Sequence, residues 1–536
     1  MEEEMLQQLR SKATELLLRE EWIQAINVYS QLISLCQQNL SQPHQTSDPA
    51  DRLSKLHKSL SLAFSNRADA RSRLRDFDVA IEDCERALEI EGTHYKALLC
   101  KGKILLNLNR YSDASHCFQK ALFDNQSNGS SETLQGYLDR CKKLEFQSKT
   151  GAFDLSEWVL NGFKGKSPEL AEFIGSVEIK RSENIGGRGL FTTKNVEAGT
   201  LLFVTRAVAT GRGILPEPGE DADESARLVM WKDFIDKIVE ASMKCGRTYR
   251  LICTLSSGER EEDLGVPDIS LFRPEADELV FTKEKPDMGK ILSILDVNSL
   301  TEDAISATVL GRNKEYSGVG LWILASFINH SCNPNARRLH VGDHMMVHAS
   351  RDIKAGEEIT FAYFDVLVPL RKRREMSKTW GFQCNCKRCR FEEVFGCREE
   401  LREIEMVLEF GGSDKGALVF KLEEWMKKWV AKGKEKGYLR ASFWAMYSEV
   451  FKSEKSMRRW GRRMPAIGAV AENVAEAVGA DERVVQTMAA EGLRKSSDGG
   501  STAEMERAMK LGRGICSKAM KKQATRAYLE LCLVQD

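Results

Sequence analysis

The amino-acid sequence predicts a multidomain α+β chain: an N-terminal α-helical solenoid, a central β-rich domain ending in a metal site, and a helical C-terminal region. Three observations carry this. Small residues recur at helix-packing intervals through the first third of the chain. Between about 173 and 393 the texture turns to short runs broken by glycine turns, as in "VEIKRSENIGGRGLFTTKNVEAGTLLF". Beyond 394 the apolar residues return to a helical period. The chain has 536 residues, too many for one core, so two to four domains are expected.

The bulk properties exclude some classes of function. The chain is 42% hydrophobic and 29% charged, a soluble globular balance. Its formal net charge is zero, so no global field draws it to nucleic acid, and no direct nucleic-acid binding is expected. No run of about eighteen apolar residues is present, so no membrane span is expected. The stretch "MEEEMLQQLR" is acidic and amphipathic and lacks the apolar core of a secretion signal. Fourteen cysteines in such a chain read as reduced thiols, some of them metal-bound, in the cytoplasm and/or nucleus.

Residues 1–147 form the first element. Three segments align by small and bulky residues: Ala13, Ala25 and Tyr29; Ala68, Ala80, Cys84 and Ala87; Gly102, Ala114, Phe118 and Ala121. The small residues are about twelve apart within each segment, and the second and third segments are offset by about thirty-four. Small residues let paired helices approach closely, and the bulky residue fills the gap to the next pair. This pattern resembles tetratricopeptide repeats. A Pro/Ser-rich loop at "SQPHQTSDPADR" separates the first two units, and a helix near Glu132 to Phe146 caps the stack.

The resemblance implies a peptide or protein partner on the repeats. The subset of such repeats that holds acidic chaperone tails uses a clamp of Lys, Asn, Asn, Lys and Arg. The matching positions here are Arg10, Thr14, Asn66, Lys96 and Cys100, and Thr14 and Cys100 do not fit. Partner recruitment or substrate presentation is expected in place of chaperone docking. Residues 148–172 read as a linker.

The second element spans 173–393. "CNCKRC" supplies Cys384, Cys386 and Cys389, three thiolates suited to three corners of a tetrahedral zinc site. A fourth ligand must come from elsewhere. Cys332, in "FINHSCNPN", is the natural candidate, with His330, His340, His344, His348 and Cys397 as rivals. In order, "GGRGLF", "NHSCNPN", "GEEITFAYFD" and "CNCKRC" resemble the SET-domain protein lysine methyltransferases with a cysteine-bearing post-SET segment at 380–393. The style is nearest the SET and MYND-domain group.

That resemblance implies S-adenosyl-L-methionine and a protein lysine entering from opposite faces of a narrow channel. It implies that backbone groups of Gly187, Arg188 and Gly189 meet the cofactor's amino-acid end, where only glycine lets the backbone close in. Asn329 and His330 hold the cofactor at a knotted crossing, and Phe382 packs on the adenine. Tyr363 is the catalytic tyrosine, and Asn333-Pro334-Asn335 simply turns the chain.

The sequence departs from that group between about 205 and 310. The interval carries only Cys245 and Cys253 and no histidine, too few ligands for a MYND zinc finger. It reads as an insert with an acidic loop, "PEPGEDADESAR", and helical stretches that shape the substrate groove. "RKRR", Arg371 to Arg374, reads as a solvated helix face. The third element, 394–536, reads as helices at "FWAMYSEVFKSEKSMRRW" and "AIGAVAENVAEAVGA", with a last helix capped by Ser501 or Thr502. The expected function is protein-lysine N-methyltransferase; the competing reading is a catalytically weak scaffold that binds protein partners.

Overall fold

A computed structural model describes residues 2–41, 49–124, 131–182, 187–214, 221–258, 264–274, 285–302, 316–395, 398–410, 414–429, 431, 433–495 and 503–533. The centre of the Pro/Ser-rich loop, Gly186, the start of the acidic loop, Cys397, Ser501 and Thr502 lie outside them. The chain divides into two compact units: Met1–Thr150 with Asp236–Cys253 and Ser270–Ile291, and Gly151–Ile235 with Thr254–Ile269 and Leu292–Asp536.

Seven helices build the first unit's array: α1 (Glu2–Leu18), α2 (Trp22–Ser41), α3 (Pro49–Arg73), α4 (Phe77–Ile90), α5 (Tyr95–Asn107), α6 (Tyr111–Asp124) and α7 (Ser131–Thr150). Each packs on the next, and α3 also packs on α5. The signature residues are the reason. Ala13, Ala25, Ala68, Ala80, Cys84, Ala87, Ala114 and Ala121 are all fully buried. A methyl group on Gly102 would lie 2.6 Å from the Phe118 ring, so only glycine fits there. The three hairpin turns share one conformation, a left-handed residue at Glu20, Arg75 and Asn109, the last two again thirty-four apart. The N-terminal region is therefore a solenoid of the tetratricopeptide kind.

Three of the five clamp positions are otherwise engaged. Arg10 donates to Ser59 Oγ at 2.6 Å, the Thr14 hydroxyl to Arg10 O, and Cys100 is buried. Part of the insert belongs to this unit. Lys244 Nζ donates to the carbonyl of Leu74, just past the end of α3, and Gly246 N donates to Asp78 Oδ2. The insert was expected to shape the substrate groove; these segments pack with the array because they satisfy polar groups at the α3–α4 turn.

Among the described residues the second unit holds eleven short strands: β1 (Phe173–Ile174), β2 (Val177–Arg181), β3 (Arg188–Thr192), β4 (Leu201–Arg206), β5 (Thr210–Ile214), β6 (Leu300–Thr301), β7 (Tyr316–Gly320), β8 (Asn329–His330), β9 (Ala336–Val341), β10 (His344–Ala349) and β11 (Thr360–Phe361). They form sheets ordered β1-β4-β10-β9, β2-β3, β5-β7-β6 and β11-β8. The insert is closed at its root by antiparallel β5 and β7, Thr210 opposite Gly320 and Ile214 opposite Tyr316. Its stem therefore runs to 214 and resumes at 316, inside the 205–310 limits at one end and past them at the other. The helix Asp221–Lys244 begins within it.

One expectation changes. Residues 151–172 are no linker: they form a helix, Ser156–Leu160, and bury Phe153, Leu155, Val159, Phe163 and Leu170 in this unit's core. Their apolar residues pack against the chain's end, where Leu155 N donates to Ala519 O at 2.8 Å. The C-terminal helices, among them Gly433–Ser442, Trp444–Lys452, Ile467–Val478 and Glu482–Lys495, share one continuous core with Cys332, Cys384 and Cys389. No described helix is long and apolar enough to cross a membrane.

Candidate active site and metal centre

The site is built where the chain crosses itself. The apolar run before it, Leu321 to Phe327, is buried and seats β8. Strand β8 pairs in parallel with β11, Asn329 opposite Thr360 and His330 opposite Phe361. The intervening segment 331–335 wraps the second strand: Ser331 N donates to Phe361 O and Asn335 N to Thr360 O, both at 3.1 Å. Asn335 does more than turn the chain. Only 1% exposed, it accepts from Thr360 N and donates to Glu358 O, both at 2.8 Å. Its short amide supplies both halves of a backbone-like pairing that locks the crossing shut.

Cys332 lies inside that wrap. Cys384 and Cys386 precede the helix Lys387–Phe395, and Cys389 sits in its first turn. The four sulfurs all lie within 4.8 Å of one another. A tetrahedral zinc with bonds of about 2.3 Å sets its sulfurs about 3.8 Å apart, so the donor set fits zinc. His340 lies against Trp322, His348 Nε2 sits 3.1 Å from Gly514 O, and His344 pairs along β10 with Arg206 on β4; among the described residues none joins the cluster.

The surroundings suit a concentration of negative charge. Arg373 Nη1 donates to Cys389 Sγ at 3.2 Å. Arg373 and Arg388 are 1% and 0% exposed, and both pair with Glu392. Arg388 also donates to Cys332 O, Val366 O and Ser442 Oγ. "RKRR" is therefore not a plain solvated face. Arg373 turns inward because a buried cation there offsets thiolates and Glu392, while Arg374 donates to Cys384 O.

His330 joins metal centre and pocket. Its Nδ1 accepts from Tyr363 N at 3.0 Å, so the ring proton sits on Nε2, which faces Cys332 Sγ at 3.3 Å. The ring stacks on Phe364 with centroids 4.2 Å apart, and Phe382 is 5.3 Å away. Tyr363 meets Trp380 at 5.0 Å and Phe382 at 6.1 Å. Its hydroxyl donates to Ile328 O at 2.7 Å. Burial pushes the phenol above its usual range, so it stays protonated and its oxygen lone pairs remain acceptors.

The glycine turn lies alongside. Gly187 O accepts from Ser182 N at 2.8 Å. Arg188 O accepts from Asn329 Nδ2 at 2.9 Å, while its side chain runs to Thr254 O and Gly265 O. A methyl group on Gly189 would lie 2.6 Å from Glu358 Oε1, so the absent side chain makes room for that carboxylate. Arg188 and Gly189 thus meet Asn329, the neighbouring His330 meets Tyr363 and Phe382, and the four cysteines cluster beside that His330 ring. Sequence reasoning missed Glu358, Asn335, Arg373, Arg388 and Glu392. For Glu358 the signal was available in "GEEITFAYFD"; for Arg373 there was none, since nothing marks one arginine of the three in "RKRR" as buried.

Residues 187–364 match the SET domain family. A protein described as "Methyltransferase" from Gibberella zeae is 26% identical over 399 residues, 68% of this chain and 52% of that protein. Histone-lysine N-methyltransferase SMYD3 of Mus musculus is 37% identical over 89 residues, 16% of this chain and 21% of that protein. Histone-lysine N-methyltransferase SET5 of Yarrowia lipolytica is 34% identical over 140 residues, 25% of this chain and 30% of that protein. The chain thus spans about half the length of the Gibberella relative and about a fifth of SMYD3.

Proposed function

We infer that this chain, which carries a SET domain at residues 187–364, is an S-adenosyl-L-methionine-dependent protein-lysine N-methyltransferase. The observation that carries the reading is Tyr363, a protonated phenol tethered to Ile328 O and walled by His330, Trp380 and Phe382 at the crossing.

The residues present fit the cofactor. Gly187 carries no side chain to keep a ligand from the backbone, Asn329 offers an amide, and the aromatic faces of Tyr363 and Phe382 suit a cationic sulfonium. Bound there, S-adenosylmethionine supplies a sulfonium methyl for transfer to a neutral amine. Tyr363 positions that amine: its hydrogen is given to Ile328 O, so its oxygen accepts an N–H from the substrate. It does not act as base, because burial keeps it protonated. The lysine gives its proton to bulk water on entry, because the dry pocket lowers an amine pKa. The aromatic walls exclude water and hold the geometry.

Cys332, Cys384, Cys386 and Cys389 would hold one structural zinc, which would pin the crossing to the segment 384–389. The repeats recruit a protein or peptide partner, and the substrate is a protein lysine, histone or other. We place the protein in the cytoplasm and/or nucleus, where its thiols stay reduced.

Purified full-length chain, incubated with labelled S-adenosylmethionine and a protein extract, is expected to place label on lysine. Tyr363→Phe keeps the ring contacts and loses the hydroxyl, so kcat should fall about 100-fold, with KM for the cofactor changed less than about threefold. Wild-type chain that labels no lysine in any extract overturns the reading.

A further inference from the structure

Glu358 lies opposite Phe191 of β3 in an isolated bridge, and Ile359 N donates to Leu190 O at 2.7 Å. This pins the backbone beside the glycine turn. The side chain then occupies the space left by Gly189. Its Oε1 accepts from Asn329 Nδ2 at 2.8 Å, and its Oε2 accepts from Ser182 Oγ at 3.0 Å. Asn329 Nδ2 gives its other hydrogen to Arg188 O at 2.9 Å.

Carboxylate and backbone carbonyl are both pure acceptors. They fix the Asn329 amide in one orientation, because the flipped amide would set Oδ1 against two other oxygens. With both N–H groups taken, Asn329 has only Oδ1 left to meet a ligand. An acceptor there selects a ligand end that donates, and the strong donor on the amino-acid end of the methyl donor is its ammonium group.

We propose that Glu358 is a positioning residue that orients Asn329 to accept from the α-ammonium of the methyl donor. This rests on the methyltransferase reading above. Gln at 358 can still accept from Asn329 and meet the Ser182 hydroxyl, whereas Ala can do neither.

The test is calorimetric binding to full-length chain of two probes: S-adenosylhomocysteine, which has the amino-acid end, and 5′-methylthioadenosine, which lacks it. Glu358→Ala should weaken the first at least about tenfold and leave the second within about twofold, as expected when a charge-assisted hydrogen bond is lost. Glu358→Gln should bind both within about threefold of wild type. Ser182→Ala, which removes only the far anchor, should fall between them and guards against an Ala variant that does not fold. Equal weakening of both probes in Glu358→Ala, no weakening of the first, or a Gln variant as impaired as the Ala variant overturns the proposal. Wild type that binds neither probe overturns the methyltransferase reading instead. The crystal structure of Glu358→Ala then decides the positioning role: Asn329 leaving its rotamer supports it, and Asn329 unmoved overturns it.

Discussion

The residues that matter here are fixed by what their neighbours can accept or donate. His330 is one tautomer because a backbone N–H occupies Nδ1, and Asn329 is one orientation because two oxygens occupy its N–H groups. The same logic reaches a residue outside the pocket. His348 is fully buried on β10, 3.1 Å from Gly514 O, and burial, with help from Arg337, pushes its pKa from 6.5 down to about 4. The unfolded chain then takes a proton near pH 6.5 that the folded chain refuses until about pH 4. The stability His348 contributes is present above pH 6.5 and lost as pH falls from there toward 4, about 3 kcal/mol over the whole window. His344 is pushed down to about 4 as well, by burial and Arg206, and adds in the same direction. His348→Gln keeps a donor toward Gly514 O and removes the titration. Its drop in melting temperature between pH 7.5 and 4.5 should be clearly smaller than that of wild type; an unchanged drop would remove His348 from the account.

At the scale of elements, one helix carries two roles. Leu370–Thr379 exposes Arg371 and Lys372 and turns Arg373 inward to Glu392 and Cys389. Groups that hydrogen-bond metal ligands are commonly worth 10- to 100-fold in metal affinity. Arg373→Met should therefore release zinc to a chelator at least about tenfold faster than wild type, and it should lose about 3 kcal/mol of stability because Glu392 loses one of its two buried arginine partners. A wild-type release rate would show that the arginine is incidental to the metal. This helix also marks what the sequence conveys. "CNCKRC" was legible because three thiolates so close have few other uses. The helix itself was legible, but which of four basic residues faces inward depends on Glu392, nineteen residues on. Asn335 was misread for the same reason: a turn-forming residue looks alike whether its amide meets water or locks a crossing.

For the whole molecule, the order of regions could be read from the chain, because repeats, glycine turns and helical periods are local patterns. The boundaries could not, because burial is set by distant partners. Residues 151–172 look like a linker until Leu155 meets Ala519, and the C-terminal helices look separable until Ser442 meets Arg388. Within the second unit one core thus joins segments near 332, 384–389 and 442. Cys332 occupies the strategic place: its sulfur faces both the other three thiols and the ring of His330. The account predicts that one ion holds this junction together. The direct test is the metal content of full-length chain, measured beside Cys332→Ser. About one zinc per chain in the wild type, lost in the variant together with binding of S-adenosylhomocysteine, is the result expected. A Cys332→Ser chain that keeps its full zinc would contradict it.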